Sequence, residues 1–159
     1  MRNVCIVVAD GARARFFALQ YPQQPEFESG PDLVEQATLA APAHDAPDEA
    51  LYTEGLTGRN RTWGSETHDY DEHRDAHDDE VERRYVRDIV VELGKHTADE
   101  CIICAEPRMM GFLRKALADV PAPAITEVPK NLTHFVTRDL QVWLASEGLI
   151  PERRPPRGL

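Results

Sequence analysis

Three groups of residues have the types and spacing to do chemistry. The first is Gly55-Leu56-Thr57-Gly58-Arg59-Asn60-Arg61-Thr62-Trp63-Gly64. Arginine forks make bidentate contacts to phosphate, and an indole offers a face on which a base can stack. The glycines let backbone approach a ligand closely. Arg13 and Arg15, two apart and so on one face of a strand, add positive charge. Arg13, Arg15, Arg59, Arg61 and Trp63 are therefore read as a candidate RNA- or anion-binding set. The plain alternative is a solvent-facing loop with scattered charges.

The second group is His68, Asp69, His73, His77 and Glu80. If a helix reaches back this far, Asp69, His73 and His77 stack on one face at i, i+4 and i+8. Histidines at that spacing beside a carboxylate suit a divalent metal, so these three are candidate ligands for the one cofactor the sequence suggests. There is no HExxH pattern. Carboxylates ahead of a helix also favour its N-terminus through the dipole, which is the structural alternative. The third group is Asp10 and Glu106, each ending an apolar run, with Glu80 or Glu82 from a helix. Carboxylates converging on two metal ions would make a nuclease or phosphodiesterase. Asp10 before Gly11 is also an ordinary turn residue, and Glu106 before Pro107 an ordinary helix-start residue.

The charge is concentrated in the second group. Across 159 residues, 28 Asp and Glu face 18 Lys and Arg, a net of −10. Glu66 to Glu82 holds nine of the acids and one base, Arg74; removing them leaves 19 acids and 17 bases. The total argues against indiscriminate nucleic-acid binding but does not exclude a local basic site. No apolar run approaches the roughly 20 residues of a membrane span. The opening run from Asn3 to Ala9 is too short for a signal peptide and meets Asp10-Gly11, a turn. A cytoplasmic chain without a membrane partner is expected. Cys5, Cys101 and Cys104 fit reduced, buried thiols. Cys101-Ile102-Ile103-Cys104 matches CxxC in form, but within a strand its two thiols face opposite sides.

The elements that must position these residues follow from patterning. Asn3–Ala9 is continuously apolar, which predicts a strand buried on both faces. Arg13–Gln20 reads as its antiparallel partner, Tyr21–Pro31 as a loop, and Leu33–Ala40 as a third strand whose apolar residues do not alternate cleanly. Ala41 to Asp75 is polar and glycine- and proline-rich, read as a long loop. Val81, Tyr85, Ile89 and Leu93 step at helical spacing, widened by Val86, Val90 and Val91. Cys101–Ala105 is a fourth strand. Pro107 starts a helix with Met110, Leu113, Leu117 and Val120 inside, and Ala124–Val128 is a fifth strand. The last helix carries Phe135, Val136, Leu140, Val142, Trp143 and Leu144 and ends at Gly148. Residues 149–159 form a basic extended tail, touching an acidic partner, the chain's own acidic stretch, or nothing. The expectation is one α/β domain over residues 1–148, with a mixed five-stranded sheet in β-β-β-α-β-α-β-α order, the order of ribonuclease-H-like folds.

Particular residues also look familiar. Val8-Ala9-Asp10-Gly11-Ala12-Arg13-Ala14-Arg15, Leu56-Thr57-Gly58-Arg59, Ala105-Glu106-Pro107-Arg108-Met109-Met110-Gly111-Phe112-Leu113-Arg114 and Glu127-Val128-Pro129-Lys130-Asn131-Leu132-Thr133 occur in order along almost the whole chain. By these the chain resembles the bacterial host-attachment family, "protein required for attachment to host cells". Asn131 stands where that family typically has Asp. The family is in turn similar to the central domain of archaeal and eukaryotic peptide-chain release factors and their ribosome-rescue relatives. There a Gly-Gly-Gln loop before the long helix enters the peptidyl-transferase centre. The corresponding stretch here, Glu54 to Ser65, has no Gly-Gly-Gln. The resemblance implies a ribosome- or RNA-facing loop without the hydrolytic signature. The favoured expectation is a non-enzymatic, translation- or RNA-associated binding domain. The alternatives are a metal-dependent nuclease and a plain protein-interaction module.

Overall fold

In the computed structural model, β1 (Val4–Ala9) lies at the centre of a five-stranded sheet of order β3-β2-β1-β4-β5. The structure describes residues 2–42, 67–96, 98–118, 120 and 124–158, and of 67–78 the backbone alone. All six residues of β1 are buried, because the strand has a neighbour on each side and helices over both faces. β2 (Arg13–Gln20) pairs antiparallel with β1, and β3 (Asp32–Ala40) antiparallel with β2. β4 (Glu100–Cys104) and β5 (Ala124–Val128) continue the other side in parallel. The expected mixed sheet and element order are those observed.

Alternation along the strands divides the core in two. Cys5, Val7 and Ala9 face one side with Ala14 and Phe16, under α1 (Thr67–Leu93) and α2 (Pro107–Leu117). Val4, Ile6 and Val8 face the other with Phe17 and Leu19, under α3 (Thr137–Ser146). Cys101 and Cys104 lie on opposite faces, as strand geometry requires.

The irregular pattern of β3 has a specific cause. Phe16 pairs with Ala37 and Phe17 with Glu35, so Gln36 is an extra residue, a β-bulge. The bulge reverses the phase of the strand. Leu33 belongs to the α3 side, whereas Ala37 and Leu39 pack on the α1 side. It also turns Glu35 onto the face occupied by Arg15.

Several boundaries differ from the sequence expectation. The polar stretch expected as loop through Asp75 is already helix from Thr67, which suits its charge-rich, proline-free composition. Val120 lies beyond the end of α2 and is exposed, not an inner-face residue. Phe135 and Val136 precede α3, and Val142 is 63% exposed, because α3 buries the stripe of Leu140, Gln141 and Leu144. Gly148 ends α3 with φ +73°, the left-handed conformation glycine adopts without penalty. Beyond it the tail lies against the residues before β3. Arg154 and Gly30 exchange backbone hydrogen bonds of 2.9 and 3.0 Å, and Arg157 and Gly158 donate to Pro25 and Glu26. Arg153 pairs with Asp32 at 2.6 Å. None of these partners belongs to the acidic stretch. Among the described residues no helix is long and apolar enough to cross a membrane.

Candidate functional site

The carboxyl ends of parallel strands are where open α/β sheets place their functional groups, and this chain gathers its polar core there. Asp10 follows β1 and closes the β1–β2 hairpin. Its Oδ1 accepts from the amides of Ala12 at 2.8 Å and Arg13 at 2.9 Å, while its own amide donates to the Arg13 carbonyl. The Tyr85 hydroxyl on α1 donates to the Asp10 carbonyl at 2.8 Å. From the loop after β5, the Thr133 hydroxyl reaches Asp10 Oδ2 at 2.5 Å.

Thr133 is the hub of this cluster. Its carbonyl accepts from Arg13 at 2.6 Å and Arg15 at 2.9 Å, and its amide donates to Asn131 Oδ1 at 3.1 Å. Asn131 Oδ1 is also 2.6 Å from the Thr133 hydroxyl. One hydroxyl proton serves one acceptor. Because position 131 is Asn, Asp10 is the single carboxylate at this hydroxyl.

Arg15 is buried on the α3 side of β2, its guanidinium 4.9 Å from the Phe17 ring. It donates to Glu35 through Nε at 2.9 Å and Nη2 at 3.0 Å, and through Nη1 to the carbonyls of Thr133 and Phe135. Four of its five N–H groups are thereby engaged. Arg15 therefore binds the chain itself, which leaves it little capacity for a phosphate, and Arg13 directs one nitrogen to the same carbonyl. The two arginines clamp the 131–135 loop onto the hairpin. Among the described residues no buried side-chain polar atom lacks a hydrogen-bond partner.

The electrostatics follow from these contacts. Burial alone would raise the Asp10 carboxyl. The hydrogen bonds from Thr133, Arg13 and Ala12 and the charge of Arg13 outweigh it and hold the pKa below its ordinary value. Hydrogen bonding to Arg15 depresses Glu35, against a smaller opposing effect of burial. Burial, with the charge of Asp10, raises Tyr85. An ionised Asp10 whose oxygens already accept three hydrogen bonds is a structural anchor; it is a poor proton acceptor.

The other candidate carboxylates make none of these hydrogen bonds. Glu106 is exposed ahead of α2 and makes no capping hydrogen bond. Glu82 pairs with Arg108 at 3.1 Å, and Glu80 lies 3.8 Å from both Arg83 and Arg87. Among the described residues no three His, Cys, Asp or Glu side chains come together as a metal-ligand group. Asp69, His73 and His77 fall on α1, which does reach back to them, but their side chains lie outside the described residues. Arg59, Arg61 and Trp63 also lie outside them.

Glu35, Tyr85 and Thr133 carry the cluster without having been marked for a role by any motif. Glu35 leaves one signal, an acid two positions after Leu33 within a strand. Gln141 is a second such residue. From α3 it accepts the Leu33 amide at 3.0 Å and donates to the Pro31 carbonyl at 2.8 Å, completing the outer edge of β3 where it begins.

No curated protein matches this sequence. The family profile described as "protein required for attachment to host cells" matches residues 5–144, from β1 to within α3. That span takes in the hairpin, the bulge and the clamped loop, and the chain belongs to this host-attachment family.

Proposed function

We propose that this chain is a non-enzymatic RNA-binding domain, acting on the ribosome or on free RNA, in which Arg59, Arg61 and Trp63 make the contact. The observation that carries this reading is the anchoring of the fold at Ala41. Ala41 is buried and donates to the Ala12 carbonyl at 2.8 Å, which fixes the chain just before residue 43 beside the Asp10–Arg13 turn. That turn is itself fixed by Thr133, Arg13 and Tyr85. A rigid base from which a glycine-, arginine- and tryptophan-bearing segment departs is what a phosphate- and base-contacting element needs. The 27-residue helix α1 follows at once, the order that the resemblance to release-factor central domains implies.

The nuclease reading has less support. Asp10 serves the hairpin and Glu82 serves Arg108, so two of the carboxylates it needs have other partners. Co-sedimentation with isolated ribosomes separates the favoured reading from a protein-interaction module. The RNA reading expects the chain in the ribosomal pellet at low salt and its release as salt rises. A chain that stays in the supernatant with both ribosomes and purified ribosomal RNA contradicts it.

A further inference from the structure

Cys5 and Cys101 are register partners on the two central parallel strands, β1 and β4. Both point into the same core layer under α1 and α2, at 3% and 0% exposure. Adjacent strands lie about 4.8 Å apart, inside the Cα separation of roughly 4.4–6.8 Å that a disulfide spans. Cys104 pairs with Val8 and faces the α3 side, so it cannot reach Cys101 within the strand. The pairing is thus restricted to one partner by register and by face. We propose that Cys5 and Cys101 form a buried dithiol that peroxide oxidises to a disulfide, locking β1 to β4.

The chemistry balances with hydrogen peroxide as the oxidant. The Cys5 sulfur attacks one peroxide oxygen, the O–O bond breaks, and water leaves, with a sulfenic acid on Cys5. The Cys101 sulfur then displaces that hydroxyl. Its own proton departs with the hydroxyl as a second water, and the S–S bond forms. Two thiols and one peroxide give one disulfide and two waters. The balance is the same whichever of the two sulfurs reacts first. Because both residues are buried, oxidation proceeds through local opening and is slow.

The test incubates the native chain with millimolar hydrogen peroxide, alkylates it in denaturant without reductant, and maps its peptides by mass. The expected result is a Cys5–Cys101 peptide pair lighter by two hydrogens, with Cys104 alkylated. The Cys104→Ser variant should keep the link and Cys5→Ala should lose it, each checked for native circular dichroism. The oxidised chain should melt about 10 °C above the dithiothreitol-reduced one. Three alkylated cysteines after treatment, a link through Cys104, or a disulfide that lowers the melting temperature would each overturn the proposal.

Discussion

The guanidinium of Arg15 sits 2.9 Å from the carbonyl oxygen of Thr133, 118 residues further along the chain. The hairpin and the loop after β5 are joined there by a charge whose other side is balanced by Glu35. Breaking a buried pair leaves the remaining partner uncompensated, which costs more than the pair's net worth. Arg15→Ala should therefore lower unfolding stability by about 3 kcal/mol, somewhat under the fully buried figure because Glu35 is a third exposed. Arg15→Lys should recover only part of this, since an ammonium cannot make the forked contact. Urea titration of the three proteins reads both effects.

Acid should unfold the chain through the same cluster. Asp10 and Glu35 have folded-state pKa values below their ordinary ones. Their stabilisation is complete above the unfolded values, near 4, and is lost as pH falls through the depressed folded values. Stability should stay level from about pH 7 to 5 and fall steadily below. Glu35→Gln should flatten that fall while lowering stability at pH 7. Urea midpoints measured at half-unit pH steps test the slope.

Gln141 supports an outer strand by a different means. Gln141→Met keeps the volume but leaves the Leu33 amide and Pro31 carbonyl without their partner. The expected cost is about 1–3 kcal/mol. Faster hydrogen exchange at the Leu33 amide, with little change in β1, would place the loss at the start of β3.

The parts of the fold legible in the sequence were those where pattern and burial coincide. The unbroken apolar run of β1 and the i, i+4 stripe of Tyr85 and Ile89 each specify one element. β3 was harder to read because the bulge at Gln36 switches its buried face midway, so no single period fits Leu33 and Leu39 together. The start of α1 is obscured in the sequence because that stretch is acidic and carries no apolar stripe. At the site, Asp10 was legible as a turn residue. Its partners Thr133 and Tyr85 lie 123 and 75 residues away, a relation that only the folded chain creates. Arg15 stands out in the sequence by its charge, but charge in a sequence does not tell whether the partner is a ligand or the protein itself.

The Trp63 contribution to binding can be isolated because the chain has only two tryptophans. In a Trp143→Phe background, single-stranded RNA should quench the remaining emission, and Trp63→Ala should weaken binding by about 1–3 kcal/mol.

The most direct test of the account is a fluorescence-anisotropy titration of labelled single-stranded RNA with the native chain and with the Arg59→Ala, Arg61→Ala double variant, repeated across salt concentrations. The account predicts salt-dependent binding by the native chain. It also predicts that the double variant loses about 1.4 from the slope of log affinity against log salt, the share of two phosphate contacts on a single strand. A native chain that leaves the anisotropy unchanged at low salt, or a double variant with the native slope, would contradict it.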